Sequence, residues 1–235
     1  AANITDLTIK TTGEKSTIST LTAAAVKNAT IDAGAELVIN AIGTTNKLET
    51  VTVKGTAAVT LGTVATSNIL KSFDASANTG GVTASINAAT AGSHTDLKTF
   101  VFSAGNDKVT VADIVNKAIN LGAGDDKITL DDGTDTLAEI TGTIDGGAGT
   151  DTIHMTAALA VVATGASSTF DTQISNIEKL SLGTLGAAST VDLAKIDNIS
   201  YVISANNAAF LLTLNNMANN GTLELASGLA ATNDT

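Results

Sequence analysis

Apolar and polar residues alternate along this chain in short bursts. A six-residue pattern of aliphatic, polar, polar, apolar, polar, apolar recurs. It reads ITDLTI (Ile4–Ile9), LETVTV (Leu48–Val53), LKTFVF (Leu97–Phe102), IEKLSL (Ile177–Leu182) and IDNISY (Ile196–Tyr201), with a weaker copy in LKSFDA (Leu70–Ala75). AELVIN (Ala35–Asn40), AAVTLG (Ala57–Gly62) and VTASIN (Val82–Asn87) alternate in the same way between them. Alternation with period two predicts strands. VADIVNKAIN (Val111–Asn120) and ALAVVAT (Ala158–Thr164) each hold at most a helical turn, and neither carries a clear capping signal.

The intervals between copies choose the architecture. Leu48 to Leu70 is 22 residues, Leu70 to Leu97 is 27, and Ile177 to Ile196 is 19. These lengths suit one coil of a solenoid, in which a strand returns above its predecessor after each turn. A β-sandwich would place turn signals every 8–12 residues without such recurrence. Asn, Thr, Gly and Ser fill the gaps and make good coil corners. The predicted fold is all-β: one parallel β-solenoid over residues 1–235, with no domain boundary, its hand not given by these intervals.

Composition agrees. Hydrophobic content is 43% and aromatic content only 3%, so the core must be built from small aliphatics in thin, repeated layers. Absence of Cys removes disulfides and thiolate metal sites without arguing against export. The chain starts at Ala1 with no leader pattern, which reads as a fragment or a processed product. The longest apolar run, AALAVVA at Ala157–Ala163, is far below the roughly 18–20 residues of a membrane helix. The net charge of −11 argues against a nucleic-acid partner. It leaves two roles for the acidic residues: solubility, or cations belonging to the folded state.

The acidic residues concentrate between Asn106 and Asp151, interleaved with Gly and single aliphatics. GGAGTDTIH (Gly146–His154) fills every fixed place of the nonapeptide G-G-x-G-x-D-x-U-x, in which U is a large aliphatic residue. LGAGDDKIT (Leu121–Thr129) keeps Gly122, Gly124 and Asp126. FSAGNDKVT (Phe102–Thr110) keeps Gly105 and Asp107, and LDDGTDTLA (Leu130–Ala138) keeps Gly133 and Asp135. Asp126 to Asp135 is nine residues, Asp107 to Asp126 is 19, and Asp126 to Asp151 is 25. Asp107, Asp126 and Asp151 are therefore expected to stack along one edge of the solenoid, with Asp135 on the opposite edge. Gly allows left-handed backbone angles that turn carbonyls inward. A hard divalent cation then finds carbonyl and carboxylate oxygens from two successive turns. Without it, stacked carboxylates repel, so folding of the segment is linked to the metal. Asp126, with a matching turn on either side, is expected to matter more than Asp135, for which Asn116 is a weak partner.

These nonapeptides resemble the RTX calcium-binding repeats of proteins exported by Gram-negative bacteria. The resemblance covers about residues 102–155. With SFDASANTGG (Ser72–Gly81) and ISNIEKLSLG (Ile174–Gly183) in a Thr/Ala/Gly/Asn-rich chain, the whole is similar to RTX-type surface-layer proteins. The resemblance implies a structural, self-assembling, secreted protein at the bacterial cell surface, exported by type I secretion. Calcium (Ca2+) would serve folding and lattice assembly. The implied ligand positions are Gly105, Asp107, Gly122, Gly124, Asp126, Gly133, Asp135, Gly147, Gly149 and Asp151. The implied partners are further copies in a two-dimensional lattice and a cell-surface polysaccharide reached through parts outside this sequence, with no membrane insertion. The alternative is the calcium-binding β-roll of a secreted RTX adhesin, toxin or hydrolase. A carbohydrate-active β-helix is a weaker third reading.

Other chemistry is sparse. Asp131 and Asp132 read as a solvated corner or a supplement to a site, and Asp113 and Asp145 as ambiguous in the same way. His94 and His154 have no partner at zinc-like spacing and read as surface residues. Tyr201 reads as a core or face residue. There is no G-x-S-x-G, H-E-x-x-H, P-loop or Rossmann fingerprint, and an enzyme is not expected.

Overall fold

A computed structural model describes residues 4–22, 24–41, 47–64, 70–86, 99–111, 117–130, 142–205 and 210–226. It is an all-β parallel β-solenoid of about eight turns. The first sheet stacks Asp6–Thr11, Asn28–Ala33, Thr50–Gly55, Ser72–Asn78, Thr99–Val101, Ala118–Asn120, Ile144–Asp145 and Ile174–Ser175. The second stacks Ser16–Ile18, Leu37–Ile39, Val59–Val64, Val82–Ile86, Lys108–Val111, Lys127–Leu130, Thr152–Met155, Lys179–Leu182, Tyr201–Ala205 and Thr222–Ala226. A third, two-stranded sheet pairs Ser189–Asp192 with Leu212–Asn215.

Alternation produces this directly. In Lys127–Leu130 the aliphatics Ile128 and Leu130 are buried, while Lys127 faces water. The same inward positions stack coil upon coil: Ala84, Val109, Ile128, Ile153, Leu180 and Val202 form one buried row. Each layer is thin, as a core of small aliphatics requires. Phe73, Phe100 and Phe102 interrupt it with one tilted aromatic cluster, at 5.9 and 5.1 Å between centroids.

Coil lengths match the intervals only in part. Leu7, Ala29, Val51 and Phe73 pair at a steady 22 residues, and Phe73 to Phe100 is the 27-residue step. The copies starting at Ile4, Leu48, Leu70 and Leu97 thus share the first sheet. The copy at Ile177 lies on the second sheet, because any strand leaving a corner carries the same alternation. The 19-residue interval from Ile177 to Ile196 is not a coil. Leu180 pairs with Val202, a step of 22, and Ile196 is a buried residue at the end of a 3₁₀ turn.

One helix is longer than the sequence suggests. Ala157–Ala163 is α-helical, and its cap is Thr156, whose side chain accepts from the Leu159 amide at 3.0 Å. Leu159, Ala160 and Ala163 face the core, so burial supplies what weak propensity does not. In the other candidate, Val111 and Ala118–Asn120 are strand, and residues 112–116 lie outside the described residues. Among the described residues no helix is long and apolar enough to cross a membrane.

Candidate metal centre

Asp107, Asp126 and Asp151 each stand one residue before a second-sheet strand. Those strands pair in register, Lys108 with Lys127 and Lys127 with Thr152, so the three Asp residues form one column. All three are buried, at 1%, 2% and 0% exposure. Their carboxylates do one shared job. Oδ1 of Asp107 accepts the amide of Val82, the column residue one coil earlier. Oδ1 of Asp126 accepts the Asp107 amide at 2.6 Å, and Oδ1 of Asp151 accepts the Asp126 amide at 2.8 Å. Each carboxylate thus clasps the coil before it.

The neighbouring position clasps in the other direction. Asn106 Oδ1 accepts the Asp125 amide at 3.0 Å, and Asp125 Oδ1 accepts the Thr150 amide at 2.9 Å. Successive coils therefore hold each other reciprocally through two adjacent side chains.

The column continues where no nonapeptide exists. Glu178 precedes Lys179, which pairs with Thr152, and its Oε2 accepts the Asp151 amide at 2.7 Å. The motif search missed it. A shorter signal covers it, an acid followed by x-apolar-x-apolar, as in DKVTV, DKITL, DTIHM and EKLSL, although ETVTV (Glu49–Val53) on the first sheet fits it too. Glu178 is exposed, and the longer Glu arm reaches the same amide from farther out.

Glycine shapes the edge. Gly122, Gly124, Gly147 and Gly149 have φ of 101°, 120°, 96° and 147°, the left-handed region expected of them. Gly105 does not adopt it. Its constraint is close approach instead: an added Cβ would sit 2.6 Å from the Gly81 nitrogen and 2.9 Å from the Gly80 carbonyl carbon. The carbonyls of Ser103 and Gly122 accept the Ala123 and Ala148 amides of the following coils, at 3.3 and 3.0 Å.

Two atoms are left over. Oδ2 of Asp126 and Oδ2 of Asp151 are buried with no hydrogen-bond donor among the described residues. Burial is the main reason that the carboxyls are pushed up, to about 6 for Asp107, about 7 for Asp126 and about 6 for Asp151. Backbone and Ser103 hydrogen bonds pull the other way. Neighbouring acids add to the rise at Asp126 (Asp107, Asp151, Asp125) and at Asp151 (Glu178, Asp125, Asp145). None of the ion pairs among the described residues involves the column.

A donor-free anionic oxygen in a tight turn fits a hard divalent cation, which binds oxygen. Among the described residues no three His, Cys, Asp or Glu side chains converge on one point. A cation here would take the donor-free carboxylate oxygen and complete its shell with backbone carbonyls, which keep a second lone pair, and water.

The other candidates are less concentrated. Gly133, Asp135, Asp113, Asn116, Asp131, Asp132 and His94 lie outside the described residues. Asp145 is half-buried, and its Oδ1 accepts from the Gly147 amide at 3.1 Å and the Asn176 amide group at 2.7 Å. His154 is half-buried on the outer face of the second sheet, its Nδ1 2.9 Å from Ser181 Oγ. Tyr201 is a face residue: its hydroxyl donates to Glu224 at 2.7 Å, and the Lys179 ammonium lies 5.1 Å from the ring centroid. Comparison with protein-family models, with curated proteins and with solved structures finds no match for this chain.

Proposed function

We propose that this chain is a structural part of a secreted bacterial surface-layer protein, a right-handed solenoid that calcium completes and that assembles into a two-dimensional coat. One observation carries the calcium reading: two buried carboxylate oxygens, on Asp126 and Asp151, have no donor among the described residues. An unsatisfied buried polar atom costs about 1–3 kcal/mol, and more when charged. Calcium removes that cost at a site of this geometry, and the extracellular range of Kd, about 10⁻⁴–10⁻³ M, is expected.

The coat reading rests on composition and on the resemblance to RTX-type surface-layer proteins. A net charge of −11 makes like copies repel, which opposes packing in two dimensions. Calcium on coil edges neutralises charge, stiffens the solenoid and bridges carboxylates of neighbouring copies. Sodium chloride screens the repulsion but supplies no coordination.

Electron microscopy and light scattering on the parent protein test this. Ordered sheets should form in millimolar calcium, vanish with chelator, and fail to form in sodium chloride alone. A parent that binds calcium yet stays monomeric overturns the coat reading in favour of the roll of a secreted adhesin, toxin or hydrolase.

A further inference from the structure

The three stacked Asp residues look equivalent by motif and are not equivalent by contact. Their Oδ1 atoms all hold the amide of the coil before. Their Oδ2 atoms differ. That of Asp107 accepts the Ser103 amide at 2.8 Å, and the Ser103 hydroxyl adds a 2.7 Å bond to Oδ1. Those of Asp126 and Asp151 accept from no donor among the described residues.

The cause stands four residues upstream. Ser103 occupies the place that Gly122 and Gly147 occupy in the next two coils. Ser103 is not in the left-handed region, whereas Gly122 and Gly147 are, at φ 101° and 96°. The serine therefore offers its carboxylate an amide and a hydroxyl together. The glycines have no side chain to offer; the Gly147 amide donates to Asp145 Oδ1 instead, at 3.1 Å, and no donor among the described residues reaches Oδ2 of Asp126 or Asp151. At the other end, Glu178 is exposed, so water can satisfy the oxygen that is not clasping Asp151.

We propose that the column takes its cations at two consecutive coil steps, at Asp126 and at Asp151, and that Ser103 terminates it by filling with protein donors the place a cation would take beside Asp107. This rests on the calcium reading above and adds to it a boundary and a terminator. Asp107 then serves as a clasp on Val82 and contributes no ion of its own.

Calorimetric titration of the whole chain with calcium chloride decides it, with circular dichroism to verify that each variant is folded. Asp126→Asn and Asp151→Asn should each bind one ion fewer than the unaltered chain, and Asp107→Asn the same number. Ser103→Gly should bind one ion more, because it frees the Asp107 carboxylate. If Ser103→Gly does not fold, the comparison of Asp107→Asn with Asp126→Asn still decides. Equal loss of one ion in all three Asp variants overturns the terminator while the calcium reading stands. No uptake by the unaltered chain at millimolar calcium overturns both.

Discussion

The first coils and the Asp-rich coils solve the same stacking problem with opposite charge patterns. From Asp6 to Asp74 the first sheet repeats at 22 residues, and two of its outward rows alternate in sign from coil to coil. Asp32 lies between Lys10 and Lys54, at 3.9 and 3.7 Å, and Glu49 between Lys27 and Lys71, at 3.1 and 2.8 Å. Asp6, Asn28 and Thr50 form a hydrogen-bonded row, at 2.6 and 2.8 Å. In the Asp-rich coils the repeat is irregular, 19 and then 25 residues, and acid stacks on acid inside the edge. Alternating charges in water need no further partner and contribute little each. A buried column of one sign is strong only when something neutralises it.

Removing calcium is the sharpest way to break the comparison. Each site held at a hundredfold over its Kd stabilises by about 2.7 kcal/mol. Hydrogen exchange in chelator should show amides of residues 99–111, 117–130 and 142–155 losing protection, while residues 6–22, 24–41 and 47–64 keep theirs. Uniform change along the chain would mean that the two regions do not differ in this way.

Next in size is Asp126→Ala, which orphans the Asp107 amide and deletes one ligand. It should cost the calcium-loaded protein about 3 kcal/mol by denaturant titration. Asp126→Asn sharpens the point. In chelator at pH 8 it should raise the midpoint, since it removes a charge that has no partner, and in calcium it should lower it.

The pH dependence should have opposite signs in the two regions. In the calcium-free protein Asp107, Asp126 and Asp151 titrate above their ordinary value of 3.8. The folded state then binds more protons than the unfolded one between about pH 4 and pH 7, so these coils lose stability as pH rises through that window. Glu49 is held below its ordinary value of 4.5 by Lys71 and then Lys27, so its contribution is lost as pH falls. Exchange rates by region at pH 5 and pH 7.5, after correction for intrinsic rates, test the crossing.

The smallest effect belongs to the surface pairs. Asp32→Asn should cost less than about 1 kcal/mol and nothing measurable at high ionic strength, read from denaturant midpoints.

Much of this molecule is local and therefore legible. Period-two alternation names the strands, and residue intervals name the coil where corners are short. The nonapeptide spacing brings Asp107, Asp126 and Asp151 into one column, because a fixed number of residues per turn returns each Asp to the same edge. Register was harder. The Ile196 copy is out of step because Ile196 closes the 3₁₀ turn at Leu193–Lys195, three residues ahead of Ile199, which the register places opposite Ile177. The helix at Ala157–Ala163 forms because its apolar side is buried, which no cap count can foresee.

Sequence alone determined that acids would stack on acids, since composition and spacing are properties of the chain. Only the tertiary structure decided which of those acids keeps an oxygen with no donor among the described residues. Hydrogen bonds depend on direction as well as proximity. Ser103 sits where its amide and hydroxyl meet Asp107, whereas the turned glycines 122 and 147 leave Asp126 and Asp151 each with one bare oxygen. Glu178 joins the column for a related reason: the pairing of Lys179 with Thr152, 27 residues apart, brings it there without any motif.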